Sequence, residues 1–254
     1  MNQGLEYAVV TGASSGIGAA TARALAKNGY HVIAAARRMD RLNELAASHS
    51  NIEAMELDVT SQSSVDALAA KLVGKNVTVV VSNAGGSFDG ALLLDSDVES
   101  WLKTFDVNVL GSVRVIKALV PHLRASGRGI IVVVTSTAGH ITYETGGSYT
   151  AAKHAEKAMV QTLRLELNGE PIRVSEIAPG MVKTEEFAVN RFAGDKDKAA
   201  KVYEGVEAPL TADDVAEAIR WSIMLPDHFN VDSMTIRPVA QAAQHKVHRV
   251  TKKD

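Results

Sequence analysis

Short runs of β-branched and aliphatic residues recur along the chain, each followed by a longer Ala- and Leu-rich stretch with helical spacing. The runs fall at residues 7–10, 31–35, 52–57, 77–81, 130–134, 174–177 and, more weakly, 234–236. The helical stretches fall at 19–28, 41–48, 63–72, 98–123, 151–167 and 212–224, where apolar residues return every three or four positions. Several carry start signals. Asp40 precedes the second, Thr60-Ser61 the third and Thr211 the last, which has Asp213 and Asp214 in its first turn. Strictly alternating strands and helices predict parallel strands joined by right-handed crossovers. The expectation is an α/β chain with a doubly wound parallel sheet of about seven strands and helices on both faces. Strands covered on both faces should be continuously apolar rather than alternating, and these mostly are.

Two small domains remain an alternative at 254 residues. No break in composition, repeat or low-complexity stretch marks a linker, so one domain spanning 1–254 is the better reading. Its least regular stretch, about 183–209, carries charges, Gly194, Gly205 and a few aromatics. It reads as a partly helical lid or as a plain loop, and the lid is favoured because ligands of open α/β sheets lie beyond the strands' carboxyl ends.

Composition removes several functions. Lys and Arg number 27 against 29 Asp and Glu, a formal charge of −2, too near neutral for nucleic-acid binding by bulk electrostatics. No cysteine is present, which excludes disulfides, thiolate metal ligands and a thiol nucleophile. The start, Met1-Asn2-Gln3-Gly4, lacks a signal-peptide pattern, and no apolar run approaches a membrane span. A cytoplasmic location without membrane contact is expected.

The first strand ends in Thr11-Gly12-Ala13-Ser14-Ser15-Gly16-Ile17-Gly18 and runs straight into a helix. Three glycines allow a sharp turn and a close approach to a pyrophosphate, whose charge meets the helix N-terminus. A plain glycine turn is the alternative, weakened by the strand before and the helix after. The second strand ends in Ala36-Arg37-Arg38. An acidic residue there would suit a free ribose 2′-hydroxyl, whereas arginine suits a 2′-phosphate, so NADP(H) is expected over NAD(H). Two solvated arginines opening a helix are the alternative.

Tyr149-Thr150-Ala151-Ala152-Lys153 opens a strongly helical stretch, and this spacing puts Tyr149 and Lys153 on one face. A nearby ammonium favours phenolate, as a tyrosine acid/base near neutral pH requires. Ser136, at the end of the apolar strand before it, can hydrogen-bond a substrate oxygen. Asn83-Ala84-Gly85 closes another strand, and Asn108 lies in the helix that follows.

Thr11-Gly-x-x-x-Gly16-Ile17-Gly18, Asp58-Val59, Asn83-Ala84-Gly85, Asn108, Ser136, Tyr149-x-x-x-Lys153 and Pro179-Gly180 stand in the order of the short-chain dehydrogenases/reductases. The chain resembles that family over essentially its whole length. The resemblance implies a single NAD(P)-binding Rossmann domain and hydride transfer at a nicotinamide. It implies Tyr149 as the acid/base, Lys153 on the nicotinamide ribose, Ser136 orienting the reacting oxygen and Asn108 holding a water of the proton relay. For the cofactor it implies Gly12, Ser14, Ser15, Gly16, Ile17 and Gly18 at the pyrophosphate turn, with Arg37 and Arg38 on the 2′-phosphate. Asp58 and Val59 would meet the adenine, and Asn83, Ala84 and Gly85 the adenosine ribose. Pro179, Gly180, Val182 and Thr184 would line the nicotinamide side. A homotetramer is the family's usual assembly.

Glu186-Phe187, Arg191-Phe192-x-Gly194-Asp195, Lys198-Ala199, Tyr203 and Arg237-Pro238-Val239-x-Gln241 resemble one subgroup, the NADP-dependent 3-hydroxy acid dehydrogenases, including serine 3-dehydrogenase. The resemblance implies a small substrate such as serine, allo-threonine or 3-hydroxypropionate. Arg191 is the candidate for its carboxylate, because a guanidinium fork binds carboxylates at two points. Glu185 or Glu186 is a weaker candidate for an ammonium, and His140 and Tyr143 are candidates for the pocket wall. No histidine, His122 and His154 included, stands in a metal-ligand pattern, so no metal is expected. The basic tail from Gln241, with Lys246, Arg249, Lys252 and Lys253, reads as solvated or packed on a neighbouring subunit. A carbonyl reductase with another substrate and a non-catalytic NADP(H)-binding protein are the alternatives.

Overall fold

The computed structural model describes residues 4–192 and 194–250. Its parallel strands are β1 (Glu6–Thr11), β2 (His31–Ala36), β3 (Ile52–Glu56), β4 (Asn76–Ser82), β5 (Gly129–Val134), β6 (Ile172–Pro179) and β7 (Ser233–Ile236). The helices are α1 (Gly16–Lys27), α2 (Met39–Ala47), α3 (Gln62–Lys71), α4 (Val98–Phe105), α5 (Gly111–Ser126), α6 (Gly147–Glu166), α7 (Phe187–Arg191), α8 (Lys196–Lys201) and α9 (Ala212–Ile223). Among the described residues the seven strands form one sheet in the order β3-β2-β1-β4-β5-β6-β7. The chain winds outward in opposite directions from β1 and β4, which leaves a crevice beyond their carboxyl ends.

Both faces of the sheet are covered, so successive side chains of the inner strands are buried on opposite sides. Ala8, Val10, Val81 and Val132 pack with Leu25 of α1, Leu42 of α2 and Ile219 of α9. Val9, Val80 and Ile131 pack with Leu68 of α3, Leu119 of α5 and Val160 of α6. Burial of each such Leu, Ile or Val stabilises the fold by about 1.5–3 kcal/mol before entropy is subtracted. The start signals act as expected at two helices. Ser61 accepts from the Ser64 N–H, and Thr211 forms a reciprocal capping box with Asp214.

One expected helix is divided. The stretch 98–123 forms α4, a π-helical turn at Asp106–Leu110, and α5, which ends at Gly127 in a left-handed conformation, φ 71. At Gly111 a Cβ would lie 2.7 Å from Val59 Cγ2, so only glycine lets the helix approach the β3–α3 connection. Arg114 fastens that approach, donating to Asp106 Oδ1 at 2.8 Å and to the Val59 carbonyl at 3.2 Å. The extra residue of the π turn leaves Asn108 fully buried. A π turn of this kind often marks a functional position.

Segment 183–209 contains α7 and α8 and is tied back at its end, where the Lys183 N–H donates to the Leu210 carbonyl at 2.7 Å. The tail departs from expectation. Residues Gln241–Ala243 (β8) and Lys246–Val247 (β9) pair as a short antiparallel ribbon. The tail then packs on its own chain: Arg249 donates to the Val202 and Glu204 carbonyls, and the Val250 N–H to the Gly205 carbonyl. Arg249 is thus anchored by backbone oxygens of the 183–209 segment, while Lys246 is exposed. Lys252 and Lys253 lie outside the described residues. Among those described, no helix is long and apolar enough to cross a membrane.

Candidate active site

The glycine turn follows β1 directly. Gly12 and Gly16 have φ of 67° and 52°, a region L side chains rarely adopt. The turn is also crowded from behind, since a Cβ on Gly18 would lie 2.3 Å from the Gly12 carbonyl oxygen. Thr11 Oγ1 accepts from the Asn83 and Ala84 N–H groups at 3.0 Å each, and Asn83 Nδ2 donates to the Thr11 carbonyl at 3.0 Å. These bonds join the ends of β1 and β4 at the switch point. The N-cap of α1, Ser15, makes no side-chain capping bond, and the first turn holds no acidic residue. The positive end of the helix is left for an anion, which fits a pyrophosphate.

The two arginines after β2 behave differently. Arg38 lies over the glycine turn, donating to Ser14 Oγ at 2.9 Å, to Ser15 Oγ at 3.0 Å and to both Glu186 oxygens. Arg37 is exposed and joins none of these bonds. The Arg38 guanidinium holds the Glu186 carboxyl below the usual carboxylate range. Glu186 is therefore paired with an arginine of the chain in this structure. Asp58 accepts from the Thr60 N–H at 2.9 Å and the Thr60 hydroxyl at 2.7 Å, which keeps it ionised within its own turn.

The four expected catalytic side chains converge beyond β4, β5 and β6. Ser136 Oγ accepts from the Ala138 N–H at 3.1 Å and donates to the Pro179 carbonyl at 3.4 Å. It lines the same cleft as the Tyr149 side chain. Tyr149 is buried, and Phe187 of α7 meets it edge-on, with ring centroids 5.4 Å apart. Lys153 Nζ lies 5.7 Å from the centroid of the Tyr149 ring and donates to the Val134 carbonyl at 3.2 Å. Asn108 accepts from the Gly86 N–H at 3.1 Å and donates to the Gly86 and Thr104 carbonyls at 2.8 and 2.7 Å. Both amide protons are used, and Oδ1 keeps capacity for one further donor. A Cβ on Gly85 would lie 2.5 Å from that oxygen, so glycine is required beside it. Burial drives the Tyr149 phenol well above its usual range; the nearby Ser136 hydroxyl and Arg191 pull it down, and Glu156 pushes it up.

Ser136, Tyr149, Lys153 and Phe187 line a cleft of about 530 Å³ that runs from the glycine turn to the 183–209 segment, and Asn108 is buried behind its wall. Arg191 forms part of its wall. Its Nη2 donates to the carbonyl and hydroxyl of Thr145 at 3.0 Å each, and its guanidinium lies 5.3 Å from the Tyr143 ring and 5.4 Å from that of Phe192. Arg191 Nε is buried with no partner. Tyr143 lines the cleft, and its burial lifts the phenol to about 12. His140 does not. It turns to Glu176, 3.1 Å from Nε2, and to Lys157, 3.0 Å from Nδ1, so its expected place in the wall is corrected.

Sequence reasoning missed several contributors. Gln241 Oε1 accepts from the Met181 N–H at 2.8 Å, and a Cβ on Gly180 would lie 2.3 Å from it. Thr137 donates to Gln244 Oε1 at 2.9 Å, so the tail closes the wall of the cleft beside Gly180 and Met181. Glu156 was also missed, although a carboxylate three residues after Lys153 shares its helical face.

A parallel sheet with a glycine turn at its switch point and Ser136, Tyr149 and Lys153 across the crevice has the form of a nicotinamide-type oxidoreductase of the Rossmann class. Residues 6–192 match the family model for short chain dehydrogenases, and the chain belongs to that family. An uncharacterized oxidoreductase of Mycobacterium tuberculosis is 51% identical over 236 residues, covering 93% of this chain and 92% of that protein. The NADP-dependent 3-hydroxy acid dehydrogenase YdfG of Escherichia coli K12 is 36% identical over 245 residues, covering 95% and 98%. The closed form of a serine dehydrogenase complexed with NADP+ superposes with a TM-score of 0.90 at 34% identity, covering 96% of this chain and 100% of that one.

Proposed function

We propose that the protein is an NADP-dependent oxidoreductase that moves a hydride between NADP(H) and a small 3-hydroxy acid or its oxo acid. The observation that carries this reading is the Arg191 guanidinium, held with an unpartnered Nε in the wall of the cleft that Ser136 and Tyr149 also line. A carboxylate held by that fork presents a hydroxyl two carbons away toward Ser136 and Tyr149. The names of YdfG and of the NADP+-bound serine dehydrogenase support the same class.

The turn Gly12-Ala13-Ser14-Ser15-Gly16-Ile17-Gly18 would hold the pyrophosphate on the first N–H groups of α1. Arg38, with Arg37 beside it, would hold the 2′-phosphate, Asp58 and Val59 the adenine, and Asn83, Ala84 and Gly85 the adenosine ribose. Lys153 would bind the nicotinamide ribose, and Pro179, Gly180, Val182 and Thr184 would flank the ring. When bound, the nicotinamide supplies or accepts the hydride. Tyr149 takes the hydroxyl proton in oxidation and returns it in reduction. Ser136 orients that oxygen, and Asn108 holds the backbone at Gly86 while offering Oδ1 to a water. Segment 183–209 serves as the lid of a single cofactor domain, with Phe187 and Arg191 on its inner side. A cytoplasmic homotetramer completes the reading, supported by the family resemblance and by exposed Leu94, Val98 and Leu102.

NADPH formation with serine, allo-threonine, 3-hydroxypropionate and 3-hydroxyisobutyrate tests the substrate class. Turnover of at least one of these acids, above that of uncharged alcohols of the same size, is expected. Turnover of uncharged alcohols alone would move the chain to the carbonyl reductases, and NADPH binding without any turnover would make it a binding protein.

A further inference from the structure

Lys153 does not stand alone with Tyr149. Its Nζ lies 2.5 Å from Glu156 Oε2, and the two side chains are only 5% and 1% exposed. Glu156 Oε1 accepts from Ser112 Oγ of α5 at 3.3 Å, and Ser112 Oγ accepts from Ser82 Oγ of β4 at 3.0 Å. A chain of polar contacts therefore runs from the sheet, through Ser82, Ser112 and Glu156, to the lysine of the site. Where α6 packs against α5 and the sheet, its neighbour Val160 is apolar. A carboxylate in such a place is costly to desolvate, and a buried ion pair seldom stabilises a fold more than well-packed apolar residues would. Stability alone does not account for Glu156.

We propose that Glu156 is a positioning residue of the active site: its carboxylate anchors the Lys153 ammonium against the Val134 carbonyl and offsets the positive charge that Tyr149 feels. The inference rests on Tyr149 being the acid/base. Without a counter-ion, the ammonium beside the ring would act on the phenol at full strength through a low-dielectric interior. With Glu156 bound to it, the two charges largely cancel at Tyr149, and Glu156 itself disfavours phenolate. Arg191 then becomes the cation that favours it. The other charged group near Glu156 is Glu176 of β6, which pushes the Glu156 carboxyl further up beyond the effect of burial. Glu176 is in turn held by Thr135, Ser233 and His140, with Lys157 on the far side of His140.

Glu156→Gln keeps the size and hydrogen-bonding reach of the side chain and removes its charge. The pH profile of kcat/KM for hydroxy-acid oxidation should then move its acid limb to lower pH by about one unit, while Glu156→Asp, which keeps the charge, should stay within about half a unit of the unmodified protein. A limb that is unmoved or shifted upward in Glu156→Gln overturns the proposal, since a side chain that merely fills space would alter the height of the profile and not its position. A double-mutant cycle read by thermal unfolding decides the pairing without turnover. Glu156→Gln leaves Lys153 buried without its partner and should lower Tm, and Lys153→Met with Glu156→Met should recover most of the loss. Should Glu156→Gln not fold at all, a folded double variant supports the pairing; additive losses overturn it. An active Tyr149→Phe variant would strike the assignment of the acid/base instead, leaving this cycle as the judge of the pair.

Discussion

Arg38, at the end of β2, closes on Glu186 at the start of α7 in a two-point ion pair, Nη1 to Oε1 at 2.5 Å and Nη2 to Oε2 at 2.9 Å. Ser15 of the glycine turn adds a third bond to the same carboxylate at 3.0 Å. A carboxylate of the 183–209 segment thus holds the fork expected for a 2′-phosphate, and a bound anion would compete with it for one guanidinium. Glu186→Gln should weaken the competitor and tighten NADPH binding about fivefold, with little change for NADH. Arg38→Ala should weaken NADPH far more than NADH. Nucleotide titrations followed by fluorescence check both, and equal effects on the two nucleotides would remove Arg38 from the phosphate site.

Tyr149 keeps its proton strongly because it is buried, yet it lines the same cleft as Ser136. Tyr149→Phe removes the titrating oxygen and preserves the edge-on packing with Phe187. Turnover should fall by about 10²–10⁴, the usual worth of a positioned acid/base, with NADPH affinity nearly unchanged. Steady-state kinetics beside a binding titration make the comparison; retained turnover would refute the role.

Arg191 is placed by Thr145, whose own φ of 61° is unusual for a β-branched residue. Arg191→Ala should raise KM for hydroxy acids at least about tenfold and leave uncharged alcohols unaffected, since only the acid loses a charged partner. Arg191→Lys should restore little of it, because a lysine cannot offer the planar fork. A parallel rise in KM for acids and alcohols would count against carboxylate binding.

Glu176 gives a dependence on acid. Burial raises its carboxyl, but bonds from Ser233, Thr135 and His140 outweigh burial and leave it below its ordinary value of 4.5. A carboxyl lowered in the folded state stabilises the protein above its unfolded value and loses that contribution as pH falls through the folded one. Stability should therefore decline as pH drops below about 4.5. Glu176→Gln should cost about 1–3 kcal/mol near neutral pH and flatten that acid decline. Urea unfolding at a series of pH values follows it, and an unchanged acid slope would contradict the assignment.

The sheet was legible because its signals are local. Ile130 to Val134 is apolar whichever neighbours it meets, and the three-glycine turn can be built from few other residues. The Ser136, Tyr149 and Lys153 set was legible from the resemblance. The π turn was not, since one extra residue within 98–123 barely disturbs an apolar period of 3.6. Neither the inward turn of His140 to Glu176 nor the tail's packing on residues 202–205 leaves a mark on local spacing.

The sequence by itself determined the alternation that winds the sheet, the turn that can receive a pyrophosphate and the residues able to perform acid/base chemistry. Those properties follow from side-chain shape and backbone freedom within a few positions. Tertiary structure alone decided which charges meet: Arg38 with Glu186 across 148 residues, and Lys153 with a Glu156 whose other oxygen is held from α5. The physical reason is that an ion pair depends on distance and desolvation, and both are set only when separate elements pack together.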